Sequence, residues 1–584
     1  MSKVNVTIDG IKCEVEPGTR VIDAVRELGI KIPTLCMYPA LNYYPGACRV
    51  CMVEVEGMRG LQASCALPIE RDGMVIYTHN QNVVEARRTV LELLLSSGVH
   101  DCNTCTRNGN CELQTLAEQY SIRANPYGNA MVNQREKGVD DAGPAVCRDY
   151  DRCILCGRCV QTCSVVQTVN AIDFANRGYE SHISAAGFPK LSDSYCINCG
   201  QCILACPVGA LYEKENVDDV INAMNDPQKV VVIQTAPATR VALGEEVGMP
   251  NGSIVTGKMV AALRRLGFKY VFDTDFTADL TIIEEGNELL HRLTNSGTLP
   301  MITSCSPGWV RFCETFYPDL LEHISTCKSP QQMMGPLIKT YWAEKMGIDP
   351  AKIVSVSLMP CTAKKYECQR PEMRASGYQD VDYVLTVREM GRWIRMAGIE
   401  FSLLTEEKYD DPLGESTGAA VIFGATGGVM EAALRTVYEV YLKKPLPKIE
   451  FDAVRGLKGI REATVDLDGT PVKIAIAHGL SNARQLLDQI RKGQSPYAFI
   501  EVMTCPGGCI GGGGQPIPTN EETRKKRTEA IYSDDDRQTI RKSHENPSIT
   551  KIYELFLKKP LGEKSHHLLH THYKPRPVIV PREK

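Results

Sequence analysis

Cysteine dominates the chemistry this chain can do: there are 24 in 584 residues, most of them in short-spaced runs. Cys153, Cys156, Cys159 and Cys163 are separated by two, two and three residues, and Cys196, Cys199, Cys202 and Cys206 repeat the pattern, with Pro207 after the last. A spacing of two residues lets three sulfurs curl around one metal centre. Disulfides in a long chain would be scattered, and zinc, which closes on two CxxC pairs or a Cys/His set, would leave cysteines over. In the doubled run three thiolates hold one 4Fe-4S cube and the fourth crosses to the other, so Cys206 is expected with the first trio and Cys163 with the second.

Two further sets lie upstream. Cys36, Cys48, Cys51 and Cys65 resemble the plant-type 2Fe-2S arrangement, with the first gap widened from four residues to eleven; a zinc ribbon is the alternative. Cys102, Cys105 and Cys111 supply only three thiolates, so a fourth ligand is wanted, and His100 is the only nearby imidazole. The set resembles the cubane with one histidine and three cysteines shared by hydrogenases and respiratory Complex I. There the histidine stands four residues before the first cysteine; here Gly98 holds that place and His100 is two before. A solvated loop histidine is the alternative.

The elements that must position these ligands can be read from periodicity. Residues 4–15 alternate around Asp9-Gly10, a hairpin turn, and an apolar-periodic helix from Val21 to Leu28 stops at Gly29, as in a β-grasp ferredoxin. A helix over Val83 to Leu95 leads to the three-cysteine cluster, and residues 120–145 read as a polar connector. From Lys229 strands alternate with helices, which predicts an α/β body. Three of its strands run into cysteines: PMITS into Cys305, VSVSLMP into Cys361, and AFIEVMT into Cys505, with Cys509 close behind. Open α/β sheets bind ligands beyond their strand carboxyl ends, so one metal site built from these distant segments is expected. The predicted fold is multidomain α+β and α/β: a 2Fe-2S β-grasp domain at 1–80, the histidine/three-cysteine domain at 81–120, a 2x[4Fe-4S] ferredoxin domain at 140–215, an α/β catalytic domain at 225–518, and a segment at 519–584 wrapping it.

Up to residue 210 these features suit equally an electron-transfer subunit of an NADH-dehydrogenase-like complex. The α/β body decides otherwise: TSCSPGW at 303–309, MPCTAKK at 359–365 and EVMTCPGGC at 501–509 resemble, in that order, the three signatures of iron-iron hydrogenases. With SHEN at 543–546 the resemblance covers nearly the whole chain and looks most like the catalytic subunit of the multimeric NAD(P)-linked type. It implies reversible hydrogen oxidation at an H-cluster, a cubane joined to a two-iron unit bearing carbon monoxide, cyanide and a bridging dithiolate amine. Cys361, Cys505 and Cys509 match cubane ligands, Cys509 as the bridge; the fourth ligand position is Ser306 here, and Cys305 matches the proton-relaying thiol. Either Ser306 ligates through oxygen or Cys305 shifts to ligate, and the intact register favours the serine. Glu285, Glu288 and Ser325 match the relay to Cys305, Lys364 a lysine that hydrogen-bonds a cyanide, and Ala236, Pro237, Gln331, Met359, Phe423 and Met503 the pocket. Without the resemblance Glu285 and Glu288 would read as a solvated helix face, and the Phe and Met residues as ordinary core.

A net charge of −4 offers no basic surface for nucleic acid, and neither an export signal nor about 18 uninterrupted apolar residues occur, so a cytoplasmic chain with no membrane span is expected. Gly252-x4-Gly257-Lys258 mimics a phosphate loop but has Met259 where a hydroxyl is required, which argues against ATP. The glycines at 424–428 lack dinucleotide spacing and suggest close packing. With no flavin or nicotinamide motif, partner subunits carrying those cofactors and further iron-sulfur clusters are implied, docking at the amino-terminal clusters, with bifurcation to soluble ferredoxin as an option. A hydrogen sensor of the same fold is the non-enzymatic alternative. Cys13, Cys147, Cys313, Cys327 and Cys368 lack ligand spacing and are expected to be buried small hydrophobes.

Overall fold

The computed structural model describes residues 3–128, 138–446, 448–467 and 470–576. Part of the expected connector at 120–145 and the last eight residues of the carboxyl-terminal segment lie outside them.

Strands Val4–Ile8 and Ile11–Val15 pair antiparallel through a turn in which Asp9 and Gly10 both have positive φ, the geometry that matches strand twist in a two-residue hairpin. Met74–Tyr77 adds parallel to the first strand and antiparallel to Met52–Val55, and helix Val21–Glu27 buries Val21, Ile22, Ala24 and Val25 against this sheet. Cys13, expected buried, is only partly so: it shares the inward face with Val15 and packs against the core, but the edge strand leaves it incompletely covered. Helix Gln81–Ser96, capped by Asn80, carries the chain to the second cluster segment.

The cysteine-rich block is held by a small sheet of Val139–Asp140, Val146–Asp149 and Leu211–Glu213. Residues 229 onward fold into two four-stranded sheets. In one, Tyr270–Asp273, Val230–Thr235, Ile353–Met359 and Tyr383–Thr386 are all parallel. Helices cover such a sheet on both sides, which is why these strands are continuous apolar runs rather than alternating ones. In the other, Phe499–Met503 lies between Met301–Ile302 and Thr470–His478, parallel to both. The 21-residue helix Thr274–Thr294 is buried along most of its length, including Glu284, Glu285 and Glu288. The chain is thus multidomain, α+β followed by α/β.

The carboxyl-terminal segment straps across the catalytic body. Arg435 pairs with Asp535, Asn546 donates to Asp279 at 2.9 Å, and Thr571 N donates to Thr326 O at 2.7 Å. Among the described residues no helix is long and apolar enough to cross a membrane.

Candidate metal centres and proton route

The structure brings the cysteines together in five groups. Cys36, Cys48, Cys51 and Cys65 are buried and interact as Cys36–Cys48 and Cys51–Cys65 pairs, with Cys65 also facing Cys36. Hydrogen bonding from the partner thiol lowers Cys48 to about 6 and Cys51 to about 7. In the doubled run Cys206 faces Cys153, Cys156 and Cys159, while Cys163 faces Cys196, Cys199 and Cys202, the crossed arrangement. Burial, together with neighbouring thiols, raises Cys199, Cys202 and Cys156 well above the ordinary thiol value. Such groups cannot all ionise without a local cation, and iron supplies that charge, so the donor sets fit iron-sulfur clusters.

His100 lines one small cavity with Cys102, Cys105 and Cys111. A Cβ at Gly98 would point to within 3.1 Å of His100 Nε2, so the imidazole reaches into the place a side chain at 98 would fill.

The catalytic cavity, about 80 Å³, opens where the carboxyl ends of the two sheets face each other. It is lined by Cys305, Ser306, Cys361, Cys505 and Cys509, by Lys364, and by Ala236, Pro237, Gln331, Met359, Phe423 and Met503. Burial comes first, then Cys361 and Cys509, among the causes that push the Cys505 thiol well up, so these three sulfurs share one space. The loops carrying them pack backbone to backbone: a Cβ at Gly512 would lie 2.2 Å from Pro360 O, and one at Gly508 2.7 Å from Thr426 N. Three thiols, a hydroxyl and a mostly apolar wall that also carries Cys305, Lys364 and Gln331 fit a cubane with an adjoining two-iron unit.

Ser306 and Cys305 turn to different neighbours. Ser306 Oγ shares a 2.7 Å hydrogen bond with Thr504 Oγ1 and accepts from Thr504 N at 3.2 Å, beside Cys505. Cys305 faces Glu285, Cys509 and Lys364, and burial holds its thiol well above the usual value. Lys364 Nζ donates to Cys305 O at 3.2 Å and to Glu367 Oε2 at 2.9 Å, and Glu367 also accepts from Ser329. Behind Cys305 the buried carboxyl of Glu285 is pushed up to about 8 by burial and by Glu288, against a hydrogen bond from Ser325. Ser325 Oγ in turn donates to Glu288 Oε2 at 2.8 Å. The result is one file, Cys305, Glu285, Ser325, Glu288, of groups able to hand on a proton.

The ferredoxin block abuts this site. Cys199 lines the catalytic cavity, Thr362 Oγ1 donates to Asn198 O at 2.8 Å, and Gln201 Nε2 donates to Gly511 O at 2.9 Å. Glu213 is clamped by Arg388, which also donates to Gly513 O and Gln515 O.

Residues 229–513 match the family described as iron only hydrogenase large subunit, C-terminal domain, and residues 521–576 the iron hydrogenase small subunit. Upstream, 1–81 match a 2Fe-2S iron-sulfur cluster binding domain, 87–126 the NADH-ubiquinone oxidoreductase-G iron-sulfur binding region, and 152–210 a 4Fe-4S dicluster domain. The chain is 51% identical to the NADP-reducing hydrogenase subunit HndD of Solidesulfovibrio fructosivorans, covering 98% of this chain and 99% of that one. It belongs to the iron-only hydrogenase family. Iron hydrogenase 1 of Clostridium pasteurianum is 40% identical over 97% of this hydrogenase and 99% of its own length. A solved structure of [FeFe]-hydrogenase HydA1 from Chlamydomonas reinhardtii superposes with a TM-score of 0.56 at 42% identity, covering 62% of this chain and 99% of that one. The hydrogenase is therefore an iron-iron enzyme with 2Fe-2S, 4Fe-4S and H-cluster domains.

Sequence reasoning missed several residues of the site. Arg292 donates to Glu288 Oε1 at 2.6 Å, and its i,i+4 spacing was the available signal. Glu367, at i+3 from Lys364, had a similar one. Thr504 stood beside Cys505 in the quoted signature, whereas Gln167, which donates to Thr504 O at 3.1 Å, had no signal, since that contact spans 337 residues. Cys327, expected to be a plain core residue, is buried but lies 3.9 Å from Glu288 Oε2. The glycine run at 424–428 does pack closely, and the helix it opens has its first amide groups bound by the Glu501 carboxylate, Gly427 N at 2.6 Å and Met430 N at 2.8 Å. That buried side chain occupies the position a phosphate would need.

Proposed function

We propose that this hydrogenase interconverts hydrogen with protons and electrons as the catalytic subunit of a cytoplasmic, multimeric NAD(P)-linked complex, with the domain boundaries predicted above. The observation that carries it is the convergence of three strand-end cysteine loops on one cavity from which Cys305 leads to Glu285, Ser325 and Glu288. Cys361, Cys505, Cys509 and Ser306 would hold the H-cluster cubane, and the pocket residues and Lys364 the two-iron unit. When bound, the H-cluster supplies the iron at which hydrogen is split or formed.

The chain's own groups divide the remaining work. Cys305 gives or takes the proton at its thiol, which burial keeps protonated and therefore able to donate. Glu285, elevated to about 8, exchanges that proton near neutral pH, where a carboxyl at its ordinary value would stay ionised. Ser306 serves as oxygen ligand because Cys305 is turned toward Glu285, while Thr504 holds the serine hydroxyl beside Cys505. The apolar wall excludes water, and Lys364, fixed by Glu367, presents a charged donor to the pocket.

The loops of Cys153 to Cys163 and Cys196 to Cys206, which abut the cavity through Cys199, would hold the clusters that carry electrons to and from it. His100 is proposed as the fourth ligand of the Cys102, Cys105, Cys111 cubane, which makes one 2Fe-2S and three 4Fe-4S accessory clusters. Partner subunits carrying flavin, NAD(P) and further iron-sulfur clusters dock at the amino-terminal end, with soluble ferredoxin as a second carrier in a bifurcating complex. The relative named as an NADP-reducing hydrogenase subunit supports this, as does the lack of a nucleotide motif here. Infrared spectroscopy of the matured protein tests the assignment: bands of metal-bound carbon monoxide and cyanide are expected, with hydrogen-dependent dye reduction. Full maturation without those bands would overturn it. Direct reduction of NAD+ by the isolated chain would overturn the need for partners.

A further inference from the structure

Glu288 is the outer end of the file from Cys305, and what lies beyond it decides how protons enter. One side is closed. Arg292 donates twice to Glu288 Oε1, at 2.6 and 3.1 Å, and a guanidinium holds its protons at every physiological pH, so it orients Glu288 without carrying a proton. The other oxygen, Oε2, accepts from Thr326 N at 3.0 Å and from Thr326 Oγ1 at 3.2 Å. Thr326 Oγ1 lies 2.8 Å from Nδ1 of His570, which comes from the carboxyl-terminal segment. Backbone bonds fix that approach: Lys328 N donates to Leu569 O at 2.8 Å and Thr571 N to Thr326 O at 2.7 Å.

We propose that His570 is a proton entry to Glu288, fed from the surface by the exposed imidazoles of His566 and His572, which makes the carboxyl-terminal segment part of the proton route. This rests on the reading of Glu288 as the outer relay residue. His570 Nε2 lies 3.1 Å from Glu284 Oε2, and both side chains are wholly buried. Glu284 also accepts from Tyr553 OH at 2.5 Å, from Leu561 N at 2.9 Å and from Ser565 Oγ. Donors on all sides keep it an anion, which pins one imidazole proton on Nε2 and leaves Nδ1 facing Thr326. In the neutral ring Nδ1 accepts from the Thr326 hydroxyl. When a second proton reaches Nδ1, released from an N–H bond of protonated His566, which reverts to neutral imidazole, the bond reverses: Nδ1–H donates to Thr326 Oγ1, whose own proton points at Glu288. Transfer breaks the Nδ1–H bond, forms a new O–H on Thr326 and moves the former hydroxyl proton to the Glu288 carboxylate. Imidazolium becomes imidazole, carboxylate becomes acid, and Thr326 is regenerated.

Imidazole is the side chain suited to this task, because its two ring nitrogens can take a proton on one side and release one on the other. The groups facing His570 are Glu284 and Glu288 from the long helix, Cys327 Sγ at 3.9 Å, Tyr553 through Glu284, and His566, whose ring stacks on it at 4.8 Å with an interplanar angle of 1°. His572 is 6.1 Å from His566. Three imidazoles thus step from solvent to the end of the relay.

The test uses the matured holoenzyme and follows hydrogen oxidation and evolution with an artificial dye across the neutral pH range. His570→Gln keeps an amide for hydrogen bonding and loses the titration. It is expected to slow both directions by about tenfold or more and to flatten the pH profile, with the carbon monoxide and cyanide bands unchanged. Added imidazole is expected to restore His570→Ala in part and leave the unmodified enzyme unaffected. A His570→Gln enzyme with unchanged rate and profile overturns the proposal. So does a slowed one whose profile is unchanged and whose alanine counterpart imidazole does not rescue, since that marks a structural role. The double variant His566→Gln/His572→Gln lies on the surface and is expected to slow turnover only in dilute buffer; equal rates at all buffer strengths overturn the feeding role. Glu288→Gln separates the two readings: if it retains full rate the relay itself fails, whereas an inactive Glu288→Gln beside a normal His570→Gln removes only the histidine entry.

Discussion

Replacing Glu285 by glutamine tests the proton file at the link where its chemistry is most exposed. The carboxyl is buried, at 3% exposure, and its pKa is pushed up to about 8 by burial and by Glu288. At pH 7 a group at about 8 is roughly nine-tenths protonated and still exchanges readily. Glutamine keeps the volume and the hydrogen bonds and cannot pass a proton. Because the file has a single member at each step, the loss should be that of a whole general acid-base contribution, about 10²- to 10⁴-fold in turnover, or about 3–5 kcal/mol of barrier. A second readout follows from linkage. Folded Glu285 binds its proton more tightly than the unfolded chain does, so the wild type loses stability as pH rises from about 4.5 to about 8, by at most about 5 kcal/mol, and the glutamine variant does not. Turnover is measured on matured enzyme with intact carbon monoxide and cyanide bands, and stability as thermal inactivation against pH. A variant keeping more than about a tenth of wild-type turnover, outside the range expected for a lost acid-base group, would refute the reasoning. An unchanged pH slope of inactivation would refute the elevated carboxyl.

Ser306→Ala is expected to lose cubane iron, and Ser306→Cys to keep it with a shifted redox potential, both read by iron content and electron paramagnetic resonance; full iron in the alanine variant together with loss in Cys305→Ser would reverse the two roles. His100→Ala should remove one accessory cluster signal while hydrogen isotope exchange, which needs only the catalytic site, continues. Gly200→Ala places a Cβ 2.4 Å from Thr362 Oγ1 at a φ of +66°; slower dye reduction with unchanged isotope exchange is expected, and equal slowing of both would show damage at the catalytic site instead. Arg388→Ala leaves Glu213 buried without its principal partner, a cost of about 3–5 kcal/mol; the check is a lower unfolding temperature and faster proteolysis between the ferredoxin and catalytic blocks.

Much of the molecule was legible in its sequence because the relevant physics is local. The spacing of Cys153 to Cys163 and Cys196 to Cys206 dictates which sulfurs can curl around one centre, and Asp9-Gly10 dictates a hairpin. The apolar run at 230–235 marks a buried parallel strand. The incomplete cover of Cys13 and the approach of Cys327 to Glu288 were not legible, since a cysteine without ligand spacing carries no sign of what packs against it. Nor were Thr504 against Ser306 or Gln167 against Thr504, which lie far apart along the chain and meet only through tertiary packing. The sequence by itself supplied the candidate ligands and the strand ends that carry them. The tertiary structure alone decided which way Cys305 and Ser306 face, how far Glu285 is desolvated, and that a histidine near the end of the chain reaches Glu288, because orientation and burial are properties of the assembled core rather than of any segment.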